Sequence, residues 1–540
     1  MLINLKLGIK FRLLSVMFTL FILYLLCMRI KFFLFIVLSI ILAKGLSAKS
    51  DKFRCMWRQD PATSMTIGWD QVSGTSPVVY FDTKDHGNDL AKYRYKKMPD
   101  TTRVFHEMRN TFVRFNNLVP NTVYYLIVKD SEGQSRRLSF RTAPNDADTR
   151  LSIIAGGDSR NQREACRKAN LLVSKLHPHF VLFGGDMTDN DNAAQWKTWL
   201  EDWQLTITED GRMTPIVVSR GNHEYSNKTL IELFDLPFTN LYYKLAFGGN
   251  LLSVYTLNSL ISAAGDQKDW LQEQLAADQD FIWRMTQYHF PIRPHVKIKT
   301  NKNDQAIHWS NLFKTYDVGV AIESDAHLAK ITYPIKPYSG PGSDEGFIRD
   351  DQGGTVYLGE GGWGAPLRKN DSNKSWTMES GSFNHFNWLW VDRNDIQIRT
   401  VKTLNADQVV PLNINNVFAI PEGVDLWSMA GNVVYTIDKK SRPSAETLLA
   451  ARGDDASQTT LLKASADGKV RFGYTLDAQA NLEFSLYNNN HVEVLKTALP
   501  TQAPGKYERN FELKSLPPGK YLLIIRANKK LIQKYKILKT

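Results

Sequence analysis

Hydrophobic and polar positions change rhythm several times along the chain. Two uninterrupted apolar runs come first, Leu13 to Cys27 and Phe32 to Ala43, separated by Met28-Arg29-Ile30-Lys31. Neither reaches the roughly 18 residues of a membrane-spanning helix. From about Phe53 to Pro144 short runs alternate apolar with polar residues, as in Ser64 to Trp69, Val78 to Phe81, Thr111 to Phe115, Tyr124 to Val128 and Arg137 to Arg141, with turn residues between them. That period of two predicts a small β-sandwich. From Leu151 to about Val401 apolar runs alternate with helical stripes, such as Gln162 to His177 and Ala193 to Leu205 with its three tryptophans. This texture predicts a layered α/β domain. After a polar stretch near Asn405 to Asn416, β texture returns, with strands expected at Val470 to Thr475, Leu482 to Tyr487, Tyr507 to Leu513 and Tyr521 to Arg526. The Lys-rich end is expected to be a solvated edge strand. The expected domains are therefore 1–48, 49–146, 147–403, a linker and β segment at 404–481, and a C-terminal β domain at 482–540.

At 540 residues, with 43% hydrophobic and 23% charged positions, the chain excludes collagen-like, wholly disordered and multispanning classes. Its net charge is +12, but six Lys/Arg and no acid fall in residues 1–48. The remainder is too mildly basic to argue for a nucleic-acid scaffold. Read from Met28, the order is a short basic stretch (MRIK), an apolar core (FFLFIVLSIILA) and a small-residue exit (KGLSA), the layout of a secretory signal. Met28 is then the expected start and the mature end lies near Lys49; the alternative is an uncleaved anchor made of both runs. Cys55 and Cys166 lie beyond it, and either a bridge or two buried thiols is compatible with export.

Five apolar runs end in residues able to bind metal: Ser152 to Ala155 leads to Asp158 in GGDSR, Phe180 to Phe183 to Asp186 in GGDMTDN, and Ile216 to Val218 to Asn222 and His223 in RGNHE. Phe281 to Gln287 leads to His289 in YHFP, and Val318 to Ile322 to Asp325 and His327 in ESDAHL. Loops at the carboxyl ends of strands form the ligand crevice of α/β sheets, so residues far apart in sequence can meet there. Taken singly each is weak, since a Gly-Asp pair at a strand end is most often a turn. Asp, Asn and His donors without Cys suit two hard or borderline cations such as Fe, Zn or Mn. A cation pair of this kind points to phosphoester hydrolysis.

The succession of these motifs resembles the calcineurin-like metallophosphoesterase superfamily. DPATSMTIGW and LVPNTVYYLIV narrow the resemblance to purple acid phosphatases and related bacterial enzymes, which begin with a fibronectin type III-like domain. The resemblance implies a central sandwich of two mixed sheets flanked by helices. It implies that Asp158 and His327 bind the first metal, that Asp186 bridges, and that Asn222, His289 and Asp325 bind the second. His223 would contact phosphate or stabilise the leaving group, and His295, six residues beyond His289, becomes a candidate general acid. Three departures stand out. Asp325 replaces a histidine ligand, which alters metal preference or weakens the second site. Asp189 stands where purple acid phosphatases have a tyrosine, so no charge-transfer colour is expected. Arg160 replaces a further histidine, and either holds a phosphate oxygen as a fork donor or pairs with Asp189 or Asp191. His308, Glu360 in GEGG and His385 receive no role.

The function these features imply is an exported phosphatase that hydrolyses small phosphomonoesters by attack of a hydroxide held on two metals. A phosphodiesterase or nucleotide hydrolase shares that core, and a surface binding protein with a degenerate metal site is the alternative from another class. The segment from Leu482 to Lys539 resembles the C-terminal sorting domains of the type IX secretion system of Bacteroidetes, which implies secretion machinery as a partner and a periplasmic, cell-surface or secreted location. A further immunoglobulin-like accessory domain is the alternative reading of that segment.

Overall fold

A computed structural model of the chain describes residue 28 and residues 50–299, 304–439, 460–465, 468–488, 493–528 and 530–539. The leader expected at 1–48 therefore lies outside the described residues, Met28 excepted. Residues Ser50 to Arg141 form two four-stranded antiparallel sheets. Their inward positions, among them Ile67, Trp69, Phe112, Leu126, Val128 and Phe140, are fully buried. The sandwich expected from the period of two is present, with a first strand at Ser50–Met56 that the alternation did not reveal.

The central domain is built on two seven-stranded mixed sheets. One is ordered Ile216–Val218, Phe180–Phe183, Leu151–Gly156, His385–Val391, Asp395–Lys402, Asp425–Leu426, with Tyr435–Asp438 also paired to Asp395–Lys402. The first three strands are parallel. The other sheet holds the parallel strands Leu252–Thr256, Trp283–Gln287, Val318–Glu323 and Val356–Gly359 in that order. Most of these parallel strands are buried along their whole length, which is why they read as unbroken apolar runs. The helices Arg163–Leu176 and Ala193–Trp203 pack with Leu172, Val173, Leu176, Trp199 and Trp203 buried. The expected boundary at 403 moves: Asp425–Leu426 and Tyr435–Asp438 extend the first sheet, so 404–439 joins the central domain.

The N-terminal sandwich is fused to this domain through a continuous core. Trp57 packs edge-on against Phe180 and Phe247, whose rings stack 4.1 Å apart. Beside it the fully buried carboxylate of Asp235 receives Arg114 at 2.6 Å, Arg103 at 2.9 Å and Arg58 at 3.0 Å. Cys55 and Cys166 are buried and free, which settles their pairing in favour of thiols.

At the C-terminus a five-stranded sheet faces the pair Lys469–Leu476 and Gly505–Glu512. This domain begins at Thr460 rather than 482, because Thr460–Lys463 pairs with Lys530–Lys539. Lys530–Lys539 is consequently paired on both sides and is not the edge strand expected. Its alternation explains this, since Tyr535 and Ile537 point into the core between lysines.

Candidate metal centre

Parallel strands point the same way, so their carboxyl ends share one edge. Asp158, Asp186, Asn222 and His223 follow strands of the first sheet, while His289, Asp325 and His327 follow strands of the second. Each chain must turn sharply off its strand to bring a side chain back over that edge. Asp158, Asp186, Asp325 and His327 all adopt left-handed backbone, with φ between 54° and 70°. For residues with a Cβ this conformation is strained and persists where surrounding structure imposes it. The packing leaves no room to spare: a Cβ on Gly361 would fall 1.8 Å from Asp158 Oδ2, and one on Gly221 would fall 2.3 Å from Asp186 Oδ1.

Two half-sites result. In the first, Asp158, Asp186 and His327 bring their donor atoms within 4.8 Å of one another, and all three residues are buried. His327 Nδ1 lies 2.9 Å from the carbonyl oxygen of Pro366. A carbonyl only accepts, so Nδ1 carries the proton and Nε2 presents its lone pair to the cluster. Asp158 Oδ1, Asp186 Oδ2 and His327 Nε2 have no hydrogen-bond partner although fully buried. Buried polar atoms without partners are rare, and three that converge are the donor set a hard or borderline cation requires. The residues present therefore fit a metal ion.

In the second half-site His289 Nε2 lies 3.3 Å from Asp186 Oδ1, 3.2 Å from Asn222 Oδ1 and 3.7 Å from Asp325 Oδ1. His289 Nδ1 donates to the carbonyl of Gly184 at 2.8 Å, which again directs Nε2 inward. The structure thus brings together all six expected ligands. Here, however, the donors are engaged: Asp186 Oδ1 accepts from the His223 amide at 2.8 Å, and Asp325 Oδ1 pairs with Lys299 Nζ at 2.5 Å. Burial alone would lower the pKa of His289, but Asp186, Asp158 and Asp325 push its imidazole up to about 10. For Asp186 burial works against the charge, yet His289 and His223 hold its carboxyl well below the usual carboxylate range. Both shifts report a crevice that favours positive charge.

Arg160 donates from Nε to Asp189 Oδ1 at 2.8 Å, and its Nη1 stands 3.6 Å from Asp186 Oδ2. The pairing with Asp189 is therefore present, with the rest of the fork beside the ligands. His223 donates from Nδ1 to the Asp189 carbonyl at 2.6 Å and turns Nε2 towards Asp186 Oδ2, 3.8 Å away; its side chain is 23% exposed. His295 does not join them. It is fully buried, with Nδ1 3.2 Å from Glu360 Oε1 and Nε2 2.7 Å from Thr377 Oγ1. A general acid must reach the leaving group, so the expectation for His295 is corrected to a structural one. Spacing from His289 carried no information about exposure.

Glu224, the last letter of GNHE, had no role assigned. Its buried carboxylate accepts from the amides of Gly221, Asp186 and Met187 at 2.7 to 3.0 Å, tying two ligand loops together. Burial and the charge of Asp186 raise it to about 7. Glu360 accepts the His327 amide at its backbone oxygen, 2.7 Å away.

Comparisons with known proteins agree with this geometry. Residues 51–142 match the family described as purple acid phosphatase, N-terminal domain, and residues 156–327 match calcineurin-like phosphoesterase. A purple acid phosphatase from yellow lupin (Lupinus luteus) seeds superposes with a TM-score of 0.58 at 14% identity, covering 76% of this chain and 77% of that one. The structure titled PhoD superposes at 0.53 with 12% identity, covering 72% and 90%. An uncharacterised protein of Mycobacterium tuberculosis is 24% identical over 371 residues, 57% of this chain and 68% of its own.

Proposed function

Because the chain carries a calcineurin-like phosphoesterase domain behind a purple acid phosphatase N-terminal domain, we propose that it is an exported metal-dependent phosphatase acting on small phosphomonoesters. The observation that carries the reading is the convergence of three buried, partnerless donor atoms on Asp158, Asp186 and His327. Fe, Zn or Mn suits that set, and the second half-site offers Asn222, His289 and Asp325 around the shared Asp186. When bound, such cations acidify water and offset negative charge on the phosphoryl group.

The chain's own residues supply orientation and a proton. Arg160, fixed at Nε by Asp189, keeps the end of its guanidinium fork for a phosphoryl oxygen. This favours a monoester, which brings one more negative charge than a diester. The backbone carbonyl of Asp189 fixes the His223 ring so that Nε2 faces the reacting phosphorus and hands a proton to the departing alkoxide. In-line displacement by water breaks the P–O bond in one step, so the configuration at phosphorus inverts.

The test is phosphate release by the metal-loaded full chain from a panel of mono- and diesters. Turnover of monoesters, lost in Asp186→Asn, is expected. Turnover of diesters alone would move the reading to a phosphodiesterase, and metal binding without any turnover would favour a binding protein. Export rests on the residue pattern at 28–48. Among the described residues no helix is long and apolar enough to cross a membrane. A mature N-terminus near Lys49 is the expected result, and retention of Leu13 to Cys27 would reject cleavage. Whether residues 460–540 serve as a sorting domain is tested by deleting them: export is expected to stop.

A further inference from the structure

We propose that the ammonium of Lys299 is the resident cation of the second half-site, so that the chain holds one metal tightly on Asp158, Asp186 and His327 and admits a second only when Lys299 leaves Asp325. The proposal rests on the metal-centre reading above and refines it.

The two half-sites differ in a way that composition does not show. Three ligand atoms of the first have no hydrogen-bond partner, whereas in the second Asn222 Oδ1, Asp186 Oδ1 and Asp325 Oδ1 each have one. Among the described residues the first half-site is also the one compact group of three acidic or histidine donors. Lys299 and Asp325 account for each other. The family resemblance expects an imidazole at position 325, and a neutral ring with its lone pair on a metal offers an ammonium nothing. A carboxylate there adds one negative charge, and Lys299 Nζ, 2.5 Å away, returns one positive charge. Neither side chain is loosely placed, since Asp325 is 5% and Lys299 14% exposed.

The turn that delivers Lys299 is built to stay. Lys299 donates its amide to the Val296 carbonyl at 3.0 Å, and the Lys297 amide donates to Asp371 Oδ1 at 2.9 Å. Val296 packs with Ala326 and Leu328 in a small separate core, and these two residues flank His327, immediately after Asp325. The loop that carries the lysine is thus packed on the loop that carries its carboxylate partner. A dication entering the second half-site must compete with an ammonium for one oxygen.

The experiment strips the full chain with a chelator and dialyses it against increasing Mn(II), with metal content measured per chain and Mn(II) followed by electron paramagnetic resonance. The expected wild type binds one Mn(II) tightly, with the signal of an isolated ion. Lys299→Met should bind two, its second dissociation constant falling by about tenfold or more, with the signal of a spin-coupled pair. Lys299→Arg, which keeps the charge, should stay at one, and so should Asp325→Asn, which loses the carboxylate. Two equally tight ions in the wild type, a single ion in Lys299→Met, or a second ion gained by Lys299→Arg would each overturn the proposal while leaving the metal centre intact. Metal bound by neither wild type nor Lys299→Met would overturn the metal-centre reading and this proposal with it.

Discussion

Two clusters of buried charge lie back to back in the central domain, and they share composition while differing in completeness. The metal centre leaves three buried donor atoms without partners. Directly behind it, Lys330 joins Glu323 and Glu360, with Lys330 Nζ 2.7 Å from Glu360 Oε1. Glu323 Oε1 also accepts from the Tyr288 hydroxyl and the Ile292 amide at 2.8 and 2.7 Å, and the His295 amide donates to Glu360 Oε2 at 3.0 Å. Both clusters are essentially inaccessible to solvent. Acid, base and depth therefore do not distinguish a binding site from a scaffold; unmet hydrogen bonding does. The closed cluster also holds the open one, because Glu323 ends the strand leading to Asp325 and Glu360 precedes Gly361, which lies against Asp158.

The largest break in the comparison should come from Asp186→Ala. We expect kcat/KM to fall by about 10³-fold or more, on the order of 4 kcal/mol. The melting temperature of the metal-stripped protein should hold or rise, because a partnerless buried carboxylate is removed. A clear fall in that temperature would make the open cluster structural. Lys330→Met is the opposite experiment. It leaves Glu323 and Glu360 buried without their cation, and should cost about 3–5 kcal/mol in denaturant unfolding. Adding Glu323→Gln and Glu360→Gln should recover much of the loss; a cost below about 1 kcal/mol in the single variant would deny the cluster its holding role.

The three-part texture and the ligand positions were legible in the chain for one reason. Strands buried on both faces stand out as apolar runs, and each run ended in a residue with no business in a core unless it served one. The stretch 404–439 escaped because Asp425–Leu426 and Tyr435–Asp438 are too short for a period to register. Lys530–Lys539 was misplaced because lysine dominated the impression while Tyr535 and Ile537 carried the alternation. At the centre, nothing in the residue types announces that Asp158, Asp186, Asp325 and His327 take left-handed backbone; tertiary packing imposes it. Lys299 was missed because salt-bridge partners 26 positions apart leave no local pattern. Glu224 was in plain view in GNHE, and its signal was its fixed place after the histidine rather than any periodicity.

Acid should expose the closed cluster next. Burial alone would raise the pKa of Glu360, but Lys330 and His295 hold it down at about 2, below its usual 4.5. A depressed carboxylate contributes stability that is present above about pH 4.5 and lost as pH falls towards 2, here on the order of 3 kcal/mol. His295, which burial keeps below its ordinary value, acts in the same direction as pH falls through the usual histidine range. Glu323, raised by burial, opposes both and loses stability as pH rises through its own value. Unfolding free energy measured from pH 6 to pH 2 should therefore fall less steeply in Glu360→Gln than in the wild type, from a lower starting point. Equal slopes would place the acid sensitivity elsewhere.

The finest division is between two histidines, one from each cluster. His223 keeps one nitrogen towards the ligands and part of its ring in solvent, whereas His295 has both nitrogens engaged and none of its ring exposed. If His223 protonates the leaving group, His223→Asn should lower kcat by about 100-fold for alkyl phosphates. The loss should be much smaller for aryl phosphates whose phenolate departs without a proton. His295→Asn cannot produce that dependence on the leaving group, since its ring reaches no substrate; it should lower stability and reduce kcat by the same factor for both classes. A leaving-group dependence in His295→Asn, absent from His223→Asn, would reverse the assignment and require the closed cluster to open during turnover.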